Sequence, residues 1–202
     1  MRILKMYPTS INEKFVDSLV EELRDGGLII YPTDSYYAIG CDALSNRAVE
    51  RICALKGINP QKNTLSVVCD SLSQAARYAR IDNTAYKIMR DILPGPFTFI
   101  LPASTTLPKA FKGRKQVGVR VPDNPIACRL AEALGNPLLS TTIVPDGDRL
   151  LTPEEIALHY ENSDIRYMID GGDAPDAPTT VVDITDSGNP VIVRQGKGVL
   201  ES

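Results

Sequence analysis

Residues 28 to 41, "LIIYPTDSYYAIGC", open as a buried strand and break off after four residues. The apolar run Leu28, Ile29, Ile30 and Tyr31 meets Pro32, which has no N–H to give to a sheet, and Thr33, Asp34 and Ser35 follow at once. Three small oxygen-bearing side chains flanked by tyrosines at the mouth of a strand make either a polar turn or a ligand site. The rest of the chain decides between them.

Upstream, Ser10 and Glu13 have the spacing of a capping box, and Phe15, Val16, Leu19, Val20 and Leu23 recur at helical intervals until Gly26 and Gly27. A helix therefore feeds the strand. Downstream, a helix is predicted from about residue 46 to 56, with Ala48, Val49, Ile52 and Cys53 inward and Gly57 beyond its end, followed by a strand in "LSVVC" at 65 to 69. Helices near 72 to 79 and 83 to 92 lead to "PGPFTFIL" at 94 to 101, where the prolines and glycine force a tight loop into another strand. "VGVRVP" at 117 to 122 reads as a strand, "NPIACRLAEAL" as a helix and "PLLSTT" as a strand again. Thr152, Pro153 and Glu155 combine an N-cap, a first-turn proline and a capping box, so a helix should run to about His159. The last third, "YMIDG", "TTVVDIT" and "PVIVRQG", is short strands whose succession implies antiparallel pairing. Helices and strands mix without strict alternation. The predicted class is α/β: one domain over residues 1–202, with a large twisted mixed parallel and antiparallel sheet and flanking helices.

Composition sets limits on function. With 202 residues, 43% of them hydrophobic, the chain can bury a substantial single core. A formal charge of -3 gives no global attraction to nucleic acid or an anionic membrane, so any polyanion must meet a local basic patch. Cys41, Cys53, Cys69 and Cys128 lack paired spacing, and His159 is the lone histidine. That pattern argues against structural zinc and a disulfide framework and for reduced, buried thiols. No apolar run approaches membrane-spanning length, so a soluble cytoplasmic protein without membrane contact is expected.

Polar residues collect at strand ends: Thr33, Asp34 and Ser35; Arg120 in "GVRVP"; Ser140, Thr141 and Thr142; Thr179 and Thr180; Arg194 in "VIVRQG". Singly, each has an ordinary structural role, since threonine favours strands, serine caps turns and arginine covers apolar surface with its stem. Lys56 alone suits the carbonyl end of a helix. The ordered set is more specific. "YPTDSYYAIGCDA", "RICALKGINPQKNTLSVVC", "PGPFTFIL", "GVRVPDNPIACRLAEALGNPLLSTT", "PTTVVDIT" and "VIVRQGKG" resemble, in order and spacing, the marks of the YrdC/YciO family over about residues 10 to 198.

The resemblance implies a YrdC-like sheet around a positively lined concave cavity. It also implies synthesis of threonylcarbamoyl-adenylate from L-threonine, bicarbonate and ATP, for modification of an adenosine in transfer RNA. Carried over by position, Thr33, Ser35, Arg120, Thr141 and Thr180 would bind substrate, with Arg120 on its carboxylate. Lys56, Ser140, Thr142 and Arg194 would meet the nucleotide, with Lys56 in the catalytic part against the phosphates. Arginines suit planar anions and lysine serves as a point charge; magnesium would arrive with ATP, and no protein metal site is expected. Two positions depart from the family pattern: Ile58 stands where an arginine is usual and Val144 where an asparagine is usual, as in the YciO branch. Asn59 or Lys62 would have to replace the arginine. The alternative is a nucleotide-binding or RNA-binding module without efficient synthesis, which would meet transfer RNA or double-stranded RNA. Its support is the basic stretch Lys109, Lys112, Arg114, Lys115 and Arg120, which contains no acidic residue.

Overall fold

The computed structural model describes residues 1–59, 64–107, 111, 115–144, 152–175 and 177–200. In chain order its elements are β1 (Arg2–Lys5), α1 (Glu13–Arg24), β2 (Ile29–Tyr31), β3 (Ala38–Asp42), α2 (Asn46–Lys56), β4 (Ser66–Val68), α3 (Leu72–Ala75), α4 (Asn83–Ile92), β5 (Phe97–Pro102), β6 (Gln116–Arg120), α5 (Pro125–Leu134), β7 (Leu138–Thr142), α6 (Pro153–His159), β8 (Tyr167–Asp170), β9 (Thr180–Asp183) and β10 (Val191–Arg194).

Helix ends follow local chemistry. The Thr152 hydroxyl accepts the Glu155 N–H while Glu155 accepts the Thr152 N–H, which is the expected capping box of α6. α1 starts differently from expectation: Asn12 caps it, accepting the N–H groups of Lys14 and Phe15, while Ser10 closes a turn onto the Tyr7 carbonyl. Both residues have capping side chains, and the nearer one to the apolar stripe takes the position. Gly57 ends α2 at φ 61°, a conformation that glycine adopts without a side-chain clash.

The strands form one mixed sheet in the order β1-β8-β2-β3-β7-β4-β6-β5-β9-β10. It is a single-domain α/β fold with helices on both sheet faces. Ile29, Tyr31, Ala38, Val68 and Leu138 pack with α1 and α5, while Ile30, Ile39, Val67, Phe99, Val119, Leu139 and Val182 join a second core that includes α2 and α4. Adjacent residues of one strand enter different cores, which is why the central strands are continuous apolar runs. Antiparallel pairing among the last three strands holds only for β9 with β10. β8 instead lies parallel to both β1 and β2 near the opposite end of the sheet. Its Met168 and Ile169 are fully buried, which suits an interior strand with parallel neighbours, whereas every residue of β10 is exposed.

Two strands lie outside the sequence expectation, β1 and β3. β3 makes a hairpin with β2 in which Gly40 pairs with Ile29. A Cβ on Gly40 would come within 2.6 Å of the Tyr31 ring, so this glycine leaves room for a large aromatic side chain.

Candidate functional site

The site begins with a mismatch of strand lengths. β7 pairs with β3 along its whole length but with β4 only from Leu138 to Ser140. Beside the uncovered Thr141 and Thr142 opens a cavity of about 450 Å³. The end of α2 contributes Cys53 and Lys56, with Ile58 just beyond; β5 contributes Thr98 and Ile100; β6 contributes Arg120; and Thr179, Val181 and Arg194 come from the β9–β10 side. Ser140, Thr141, Thr142 and Val144 complete the wall near β7. Among its described lining residues three are cations and none is a carboxylate. Anionic ligands match such a lining.

Arg120 is held from behind. It is 4% exposed and pairs with Asp34 Oδ1 at 2.8 Å, while the same Nη2 also donates to Ser35 Oγ at 3.1 Å. Thr33 Oγ1 lies 3.4 Å from that nitrogen and donates to the Tyr36 carbonyl at 2.8 Å. Asp34 Oδ2 accepts the Asp123 N–H, so both carboxylate oxygens are engaged. The Arg120 Nε is buried without a partner among the described residues. A buried unpaired donor is costly, and an acceptor on a cavity ligand would remove that cost. Thr33 and Ser35 thus do not line the cavity as expected of the strand mouth; they back the arginine that does.

The opposite side is looser. Lys56 is half-buried, has no ion pair among the described residues, and burial holds its pKa below the ordinary 10.5. Arg194 is exposed and donates to the Thr179 carbonyl at 2.9 Å and to Thr179 Oγ1 at 3.3 Å. Thr179 Oγ1 and Thr98 Oγ1 share a hydrogen bond of 2.9 Å. Of their two hydroxyl protons one is used between them, which leaves the other for a ligand. Thr180 turns the other way: it is fully buried and donates to the Gly198 carbonyl at 2.6 Å. Its neighbours Thr179 and Val181 take the cavity face.

Ile58 and Val144 both line the cavity, and Val144 is 69% exposed. Asn59 is exposed, and Lys62 lies outside the described residues. So do Lys109, Lys112 and Arg114 of the basic stretch, while Lys115 is exposed just before β6. Thr98 and Ser66 are lining residues that the sequence reading did not single out, and Thr179 was noted only as a polar residue at a strand end. The signal was in β5, where Thr98 and Ile100 alternate with the core residues Phe97, Phe99 and Leu101. Among the described residues no cluster of three His, Cys, Asp or Glu could hold a metal ion, and no helix is long and apolar enough to cross a membrane.

A Sua5/YciO/YrdC family model, described as "Telomere recombination", matches residues 21–196. Escherichia coli (strain K12) YciO, described as an uncharacterized protein, is 40% identical over 197 residues, covering 96% of this chain and 94% of YciO. The crystal structure of E. coli YciO matches with a TM-score of 0.89 at 38% identity, covering 99% of this chain and 98% of that one. A threonylcarbamoyl-AMP synthase of Pyrococcus abyssi (strain GE5 / Orsay) is 32% identical over 186 residues, 89% of this chain and 53% of that protein. The crystal structure of P. abyssi Sua5 complexed with L-threonine matches with a TM-score of 0.85 at 28% identity, covering 97% of this chain and 58% of that one.

Proposed function

The chain belongs to the Sua5/YciO/YrdC family, and from that premise we propose that its cavity takes ATP and L-threonine with bicarbonate and forms threonylcarbamoyl-adenylate. The observation that carries this reading is a cavity with Lys56, Arg120 and Arg194 on its walls and no described carboxylate among its lining residues. In the reaction the threonine amine and bicarbonate first give a carbamate with loss of water, and a carbamate oxygen then attacks the α-phosphorus. A new P–O bond forms there, the bond to the β-phosphate oxygen breaks, and pyrophosphate leaves with the electron pair.

No side-chain nucleophile is needed, so the protein positions anions and neutralises charge. Arg120 meets the threonine carboxylate through its unpaired Nε, with Thr33, Asp34 and Ser35 fixing the guanidinium. Lys56 and Arg194 lie against the phosphates, and Ser140, Thr141 and Thr142 line the junction of amino acid and nucleotide. Magnesium arrives as the nucleotide complex and supplies further charge neutralisation. The adenylate then serves as donor for modification of transfer RNA.

The rate is low by family standards, because Ile58 and Val144 offer no donor to the phosphates and each such loss costs about 100- to 1,000-fold. The test is incubation with ATP, magnesium, L-threonine and bicarbonate. Threonine-dependent release of pyrophosphate together with the adenylate supports the reading. ATP binding without any such product would leave a nucleotide-binding module.

A further inference from the structure

Tyr31 is fully buried, yet its hydroxyl reaches the cavity wall and donates to Ser140 Oγ at 2.8 Å. A serine hydroxyl has one proton and two lone pairs. Tyr31 occupies a lone pair, and among the described residues no acceptor takes the Ser140 proton. Ser140 itself lines the cavity. We propose that Tyr31 is a positioning residue: by donating to Ser140 it commits the serine O–H to the cavity, so that this point of the wall accepts an oxyanion. This inference rests on the reading of the cavity as a nucleotide site and adds what sets its polarity.

Three features fit the role. Burial pushes the Tyr31 phenol up to about 12, still further above neutral pH than an ordinary phenol, so the hydroxyl is a donor throughout the working range. Gly40 lies against the ring and has no Cβ to displace it, which fixes where the hydroxyl arrives. The serine sits at the last β7 residue covered by β4, beside the uncovered Thr141 and Thr142, so its proton is delivered where the cavity opens. Hydrogen bonds in such a chain polarise one another, and a serine that accepts from tyrosine is a stronger donor to the next acceptor. The ligand group at this point is acceptor-only, a phosphate or a carboxylate, in preference to an amine or a neutral hydroxyl.

The test is a double-mutant cycle of Tyr31→Phe and Ser140→Ala, read by calorimetric titration with ATP, inorganic pyrophosphate, L-threonine and adenosine. Phenylalanine keeps the ring and leaves no gap, and melting temperatures are checked first. Tyr31→Phe should weaken one oxyanion probe by about 3- to 10-fold, the size of one net hydrogen bond, leave adenosine unchanged, and have no further effect in the Ser140→Ala background. Loss for ATP and pyrophosphate together assigns the serine to phosphate, and loss for L-threonine alone assigns it to carboxylate. An equal loss in the Ser140→Ala background, an equal loss for adenosine, or no loss at all overturns the inference. A parent that binds pyrophosphate but not ATP removes the nucleotide reading, and the inference is then decided by pyrophosphate alone. A parent that binds none of the anions overturns both.

Discussion

Arg120 and Arg194 face one cavity from opposite physical settings. Arg120 is 4% exposed and anchored by Asp34 and Ser35, on a central strand between β4 and β5. Arg194 is exposed on β10, at the edge of the sheet, and among the described residues its side chain holds only the Thr179 carbonyl and hydroxyl. One charge is built into the fold; the other is added to its surface. The cavity therefore has one wall whose geometry is fixed by folding and another, with half-buried Lys56 and exposed Arg194, whose cations have no ion pair among the described residues. On the proposed function, substrate selection would belong to the first wall and charge neutralisation to the second.

The largest break in that comparison should come from Asp34→Ala, which strands a buried guanidinium and should cost about 3–5 kcal/mol in urea unfolding. Adding Arg120→Leu should recover most of the loss, since both charges are then gone. Single and double variants that unfold alike would mean that the pair does not organise this wall. Next, Ile58→Arg with Val144→Asn should raise pyrophosphate release by at least about 100-fold and exceed either single change, because both donors would act on one phosphate group. A well-folded double variant no faster than the parent would place the divergence elsewhere.

Lys56→Ala should weaken ATP by about 10- to 150-fold, the range for a charged hydrogen bond. Its pH dependence sharpens the test. The folded pKa lies below the ordinary 10.5, because burial disfavours the charged form, so the unfolded chain binds more protons in the window between the two. Stability of the ligand-free protein should thus rise with pH through that window, while ATP affinity falls as the lysine loses its charge. In Lys56→Met both contributions should vanish. The smallest effect is expected from Arg194→Ala, severalfold at most for ATP, since an exposed cation contributes about 1 kcal/mol or less. A loss as large as that of Lys56→Ala would show that Arg194 becomes buried when ligand binds.

The same contrast explains what could be read from the sequence. Amphipathic helices with strong caps, such as α2, α5 and α6, announced themselves through spacing and terminal residues. β3 did not, because Ala38, Ile39, Gly40, Cys41 and Asp42 are all buried and leave no polar alternation to read. β8 looked like a partner for its chain neighbour β9, and only long-range packing sends them to different ends of the sheet. In the site, Lys56, Arg120, Ser140, Thr141, Thr142 and Arg194 were found by position and do reach the cavity. Thr33, Ser35 and Thr180 were also expected there but do not line it: Thr180 is on the other face of β9 from Thr179 and Val181, and Thr33 and Ser35 lie in the loop after β2, where they hold Arg120 from behind; a motif lacks the one-residue resolution to tell these apart. Tyr31 was read simply as strand filler, since nothing local says that its hydroxyl meets a residue more than a hundred positions later.

The pairing of β1 with β8 has a consequence for how the chain reaches its native state. Arg2 lies in register with Tyr167, and among the described residues β1 has no other strand neighbour. β1 is thus among the last strands to find its place, because its template β8 lies far along the chain, beyond most of the strands of the sheet. Closing so long a loop costs entropy before any contact offsets it, so the early strand must wait unpaired while the middle of the sheet assembles. Its sequence suits that wait: Arg2 and Lys5 bracket two apolar residues, and charge at both ends discourages a stray edge from joining the wrong partner.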